Sequence, residues 1–118
     1  MDINPNISIY SQIAEMLRTD IISGRLIPGT KVESIRDLAV RLSVNPNTIK
    51  RVYQELQEES LFHSEGTGGT FVTNDKDFIA RKRREFAEMK ANQFRTTMQR
   101  LNLTPEDIRA LIMGEDER

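Results

Sequence analysis

The sequence predicts a mainly α fold with one small β-hairpin, followed by a tail of two helices. Three observations carry that prediction. Apolar residues recur at helical spacing over three separate stretches before residue 60. Three glycines then fall within Glu65-Gly66-Thr67-Gly68-Gly69, between two short strand-like segments. All the glycines except Gly114 and three of the four prolines lie in residues 1–74, and the remainder has almost no breaker until Pro105. That shift separates a turn-containing domain, residues 1–74, from a helical tail, residues 75–118.

The first helix follows the Pro5-Asn6 turn. Ile9, Ile13, Met16, Leu17 and Ile21 share one face, Tyr10 sits at its start, and Gly24 stands where a terminating glycine would. Pro28-Gly29 is a turn dipeptide, and Lys31-Val32-Glu33 is a short extended candidate. Ser34 is a good N-cap, with Asp37 three residues on in something close to a capping box. Ile35, Leu38, Ala39 and Leu42 make the apolar stripe of this second helix.

Ser43-Val44-Asn45-Pro46 is a tight connection, with Asn45 a natural cap and Pro46 a natural first helical residue. Ile49, Val52, Tyr53 and Leu56 then fall on one face of a third helix. Asn47, Arg51 and Gln54 project from the opposite face, flanked by Thr48 and Lys50. Two short helices in this relation, the second offering polar side chains from its first turns, make a helix-turn-helix. Leu61–Ser64 and Thr70–Thr73 read as two strands around the glycine cluster. Helix, helix-turn-helix and hairpin together give a winged helix-turn-helix domain.

Several motifs in this order resemble the GntR superfamily of bacterial transcription regulators. They are Pro28-Gly29-Thr30-Lys31, Ser34-Ile35-Arg36-Asp37-Leu38-Ala39, Val44-Asn45-Pro46-Asn47-Thr48, Tyr53-Gln54-Glu55-Leu56 and Gly69-Thr70-Phe71-Val72. The Asn-Pro-Asn-Thr turn, the early Ile9-Tyr10-Ser11-Gln12-Ile13 and the short tail resemble its YtrA-type branch. The resemblance covers roughly residues 7–74, with the tail fitting by length and helicity. It implies that Asn45, Asn47, Thr48 and Lys50 meet DNA from the recognition helix, and that Arg36 reaches DNA from the helix before it. Arg51 and Gln54 join them from the face pattern alone. Asparagine suits adenine, lysine and arginine suit guanine, and threonine offers a hydroxyl and a methyl. Gly66, Thr67, Gly68 and Gly69 form the wing. Two departures stand out: Val32-Glu33 replaces a usual Leu-Pro before Ser34, and the wing lacks the lysine or arginine common between its glycines. The second departure weakens the expected wing contact with DNA.

The tail offers a long helix from Lys76 to Leu101, with Ile79, Phe86, Met89, Phe94, Met98 and Leu101 drifting along one face. Thr104-Pro105-Glu106-Asp107 starts a short last helix whose apolar side is Ile108, Leu111 and Ile112. A two-helix hairpin of this size cannot bury both stripes alone, so it packs on the first domain or on a second copy. The resemblance implies the second copy: a homodimer with its dimerisation surface in the tail. Residues 75–118 are too few for an enclosed effector cavity of ordinary size. The sequence names no effector and no regulated gene.

The charge is near neutral, with 17 basic and 18 acidic residues and a net charge of −1, so nothing about the whole molecule demands a nucleic acid. Residues 1–74 carry a net −2 and residues 75–118 a net +1. The absence of cysteine excludes disulfides, thiolate catalysis and cysteine-rich zinc sites. His63, the sole histidine, has no partners at metal-ligand spacing. Glu58-Glu59 and Glu106-Asp107 are adjacent on helices and do not face each other. No nucleophile, base and orienter can be assembled, so the expectation is no enzyme, no metal and no cofactor. No apolar run approaches the roughly 18–20 residues of a membrane span, and Met1-Asp2-Ile3-Asn4-Pro5 lacks signal-peptide character. A cytoplasmic protein is expected. The expected function is a repressor that occludes a promoter, two recognition helices reading a pseudo-palindromic double-stranded DNA operator about one turn apart. The rival reading keeps the same fold but binds another protein, favoured by the acidic wing and the negative charge of residues 1–74.

Overall fold

The structure is a computed structural model that describes residues 7–114. Its helices are α1 (Ile9–Ile22), α2 (Ile35–Leu42), α3 (Pro46–Glu58), α4 (Lys76–Arg100) and α5 (Pro105–Met113). Strands β1 (Phe62–Ser64) and β2 (Thr70–Val72) lie between α3 and α4. The chain forms two compact units, one running to Arg81 and the other starting at Lys82.

In the first unit α1 and α2 both pack on α3. The predicted stripes are the faces that close the core. Ile13 and Ile21 of α1, Leu38 of α2, and Ile49, Val52 and Leu56 of α3 are all but fully buried. Each such side chain contributes about 1.5–3 kcal/mol by leaving water. Tyr53 lies edge-on to Phe62, with ring centroids 5.2 Å apart, and so ties α3 to β1.

Local chemistry fixes where the helices begin. Ser34 Oγ accepts a hydrogen bond from the Asp37 N–H at 3.0 Å, and Asn45 Oδ1 accepts from the Asn47 N–H at 2.8 Å. Pro46 occupies the first turn of α3, where no N–H is required. Between α2 and α3 the chain reverses at Ser43, whose φ of 56° is left-handed. The Val44 N–H closes that turn on the Ala39 carbonyl at 3.0 Å. Ser43, Val44 and Asn45 make the tight connection of a helix-turn-helix.

The strands pair antiparallel with Phe62 opposite Val72, His63 opposite Phe71 and Ser64 opposite Thr70. Each is shorter by one residue than the sequence pattern predicts. Leu61 and Thr73 still meet, the Thr73 N–H donating to the Leu61 carbonyl at 2.9 Å, just beyond the ladder. The Lys31 segment joins the hairpin through a single antiparallel bridge to Phe71. The connecting residues Gly66–Gly68 coil into one 3-10 turn, where a plain hairpin loop is expected from sequence. Gly66 at φ 56° and Gly69 at φ 103° adopt conformations that only glycine takes readily, which makes this compact turn possible.

The second unit contains the later turns of α4 and all of α5. Asn102, at φ 64°, reverses the chain after α4. Thr104 and Asp107 form a reciprocal capping box at the start of α5: the Asp107 N–H donates to Thr104 Oγ1 at 3.1 Å, and the Thr104 N–H donates to Asp107 Oδ2 at 3.0 Å. These bonds hold the Asp107 carboxyl below the usual carboxylate range. Ile108 and Ala110 are buried, whereas Leu101, Leu111, Ile112 and Met113 are each more than 60% exposed.

Candidate nucleic-acid interface

Helix α3 is held from behind by a polar network. Arg18 of α1 grips Glu59 through two nitrogens, at 2.9 and 2.6 Å, and reaches Glu55 at 3.1 Å. The Tyr10 hydroxyl donates to the other oxygen of Glu55, which raises the phenol above its ordinary pKa. The Arg51 guanidinium lies 3.8 Å from the centroid of the Tyr10 ring. On the other side of α3, the Tyr53 hydroxyl donates to the Glu33 carbonyl at 2.7 Å. Burial, reinforced by Glu33, pushes that phenol up to about 12. Glu33 also holds Arg41 of α2 through a forked pair, the closest contact being 2.8 Å. Helix α1 and the Glu33 segment before α2 thus hold α3 by directional bonds, in addition to the apolar burial of α1 and α2 on it.

The sequence-predicted residues divide by what their side chains do. Arg36, Asn47, Lys50 and Gln54 are exposed and Thr48 is half-buried. Their side chains make no hydrogen bond or ion pair among the described residues. Asn45 differs, because its carbonyl oxygen is occupied in capping α3. Arg51 also differs, since it lies against Tyr10 on the α1 side of the helix. The wing residues Gly66, Thr67 and Gly68 are exposed and Gly69 is half-buried. The Glu65 carbonyl accepts from the Gly68 N–H at 2.8 Å, and the Glu65 N–H donates to the Gly69 carbonyl at 3.0 Å.

The tail residues also divide. Ile79, placed by the sequence pattern on a surface for a partner, is 2% exposed in a single copy, at the end of α4 that belongs to the first unit. Ile108 is likewise buried within its own unit. Neither has much surface left to give a partner. Phe86 and Met98 are half-buried, while Met89, Phe94, Leu101, Leu111 and Ile112 remain exposed. His63 Nε2 lies 3.0 Å from Glu65 Oε1 on the hairpin.

Sequence reasoning missed the brace behind α3. The sequence does hold a trace of it: Glu55 and Glu59 are four residues apart and share a helix face, and a cation between them would relieve their repulsion. Nothing local shows that the cation is Arg18, 41 residues from Glu59.

Among the described residues no group of three or more His, Cys, Asp or Glu side chains could hold a metal ion, and no helix is long and apolar enough to cross a membrane. Residues 9–72 match the family described as bacterial regulatory proteins, gntR family. The chain is 30% identical over 100 residues to the HTH-type transcriptional regulator YhcF of Bacillus subtilis, a match covering 85% of this chain and 83% of that one. It is 33% identical over 67 residues to the HTH-type transcriptional repressor YtrA of the same organism, covering 57% of this chain and 52% of YtrA. A solved GntR family transcriptional regulator from Listeria monocytogenes superposes with a TM-score of 0.90 at 32% identity, over 97% of this chain and all of that one. The matched segment holds the capped helix-turn-helix and the hairpin: the chain belongs to the GntR family of bacterial transcriptional regulators.

Proposed function

We propose that this regulator is a repressor of the YtrA-type branch, binding a pseudo-palindromic double-stranded DNA operator as a cytoplasmic homodimer. One observation carries the reading. The first turns of α3 present Asn47, Thr48 and Lys50, and α2 presents Arg36, none with a side-chain partner among the described residues, while Arg18 and Tyr53 brace α3. A rigid helix with uncommitted donors and acceptors at its start is what reading base edges in a major groove requires. Arg51 and Asn45 act indirectly, Arg51 by bracing α3 on Tyr10 and Asn45 by capping it. The name of YtrA as a repressor supports the branch and the mode of action.

In this reading residues 1–74 hold the DNA-binding part and residues 75–118 the dimerisation part. The exposed apolar side chains of the second unit, Leu101, Leu111, Ile112 and Met113, support pairing of two tails. The experiment is a gel shift with DNA from the regulator's own promoter region against scrambled DNA at moderate salt, with the dimer confirmed by sedimentation. A selective shift is expected. A folded dimer that shifts neither DNA selectively would favour a protein-binding module, as the net −2 charge of residues 1–74 does.

A further inference from the structure

The hairpin contains no lysine or arginine between Leu61 and Thr73, and its one histidine is paired with Glu65. A wing without a cation meets the DNA backbone poorly, because phosphate contacts supply most of the sequence-independent affinity. The structure brings one in from elsewhere. The Val32 N–H donates to the Thr70 carbonyl and the Val72 N–H donates to the Thr30 carbonyl, both at 2.9 Å, so the Lys31 segment lies along β2 as a third strand one bridge long. Lys31 stands opposite Phe71, which stands opposite His63, so the three share one face of the sheet. Gly69, two residues before Phe71, is the diagonal neighbour on that face.

Lys31 lies over that glycine. A Cβ built on Gly69 would come within 2.7 Å of Lys31 Cε and 3.4 Å of its Nζ. The missing side chain therefore lets the lysine stem cross the end of the hairpin, with its ammonium beside the Gly66–Gly69 turn. Lys31 is exposed and forms no ion pair among the described residues; the Glu65 carboxylate, whose backbone N–H bonds to Gly69, is paired with His63.

We propose that Lys31 is the phosphate-binding cation of the wing, supplied from the segment before α2. The inference rests on the DNA-binding reading and adds to it a residue outside both the recognition helix and the hairpin. The test measures affinity for operator and for scrambled DNA across a salt series, using the full chain and the Lys31→Met and Lys31→Arg variants. Methionine keeps an apolar stem over Gly69 and removes the charge. Loss of a phosphate contact should weaken both DNAs by the same factor and reduce the log–log salt slope by about 0.9 per subunit. Lys31→Arg should restore the slope. An unchanged slope for Lys31→Met, in a wild-type background that binds operator, would overturn the proposal and leave the DNA-binding reading standing. Equal failure of the wild-type chain on both DNAs at low salt would instead bring down the DNA-binding reading, and this inference with it.

Discussion

Asn47 and Thr48 occupy the first turn of α3 with side chains that bond to nothing among the described residues. Replacing either with alanine should therefore leave stability within about 0.5 kcal/mol while relaxing base preference by about 1–3 kcal/mol. Binding of operator and of base-substituted operators checks both halves of this expectation. Asn45→Ala should do the reverse, costing about 1 kcal/mol of stability through the lost cap, as read by urea unfolding. Tyr53 titrates in a way its sequence position does not disclose. In the unfolded chain its phenol loses a proton near its ordinary 10, whereas in the native chain it holds the proton to about 12. Its contribution is complete below pH 10 and is lost as pH rises to about 12, amounting to about 2–3 kcal/mol. Alkaline unfolding followed by circular dichroism should show this fall, and Tyr53→Phe should flatten it.

Helix by helix, the sequence shows most of the fold because each start has its own chemistry. Ser34 with Asp37, Asn45 with Pro46, and Thr104 with Asp107 mark the beginnings of α2, α3 and α5, and apolar spacing supplies their buried faces. What is not legible depends on residues far apart in the chain. The Lys31 bridge to Phe71 spans forty positions, and the Arg18 grip on Glu59 is equally remote. The 3-10 turn in the wing escapes pattern reading for another reason. Three glycines permit several turn geometries, and only packing of the hairpin selects one. The positions of the site residues on α3 follow from helical period, yet the diversion of Arg51 to Tyr10 depends on a second helix. At this scale Arg18→Ala should cost about 1–2 kcal/mol, since it leaves two half-buried carboxylates without their cation. It should weaken operator binding without changing which bases are preferred. A changed preference would place Arg18 nearer the DNA than the brace allows.

For the whole molecule, the tail should control assembly. A chain ending at Arg81 keeps the buried Ile79 and loses the second unit, and should sediment as a monomer with much weakened operator binding. A tight dimer from that shortened chain would refute the tail interface. The basic run at residues 81–84 is committed to its own helix: Arg84 pairs with Glu88 at 3.1 Å, Lys82 with Glu85 at 3.4 Å, and Arg81 lies 5.7 Å from the Phe78 ring. Alanine at both Arg81 and Arg84 should therefore leave the salt slope of DNA binding unchanged, in contrast to Lys31→Met. The ion pairs of the first unit have a consequence for the speed of encounter. Glu33 is matched by Arg41, and Glu55 and Glu59 by Arg18, whereas Arg36, Lys50 and Lys31 have no acidic partner among the described residues. Local potential, rather than net charge, governs how a charged ligand is drawn toward a surface. A protein of net charge −1 can thus still draw DNA to a surface where cations such as Lys50 and Lys31 are unmatched, and the rate of encounter should fall with ionic strength. Arg18 then acts as a shield: without it Glu55 and Glu59 would repel the approaching backbone and slow every encounter, whatever the sequence encountered.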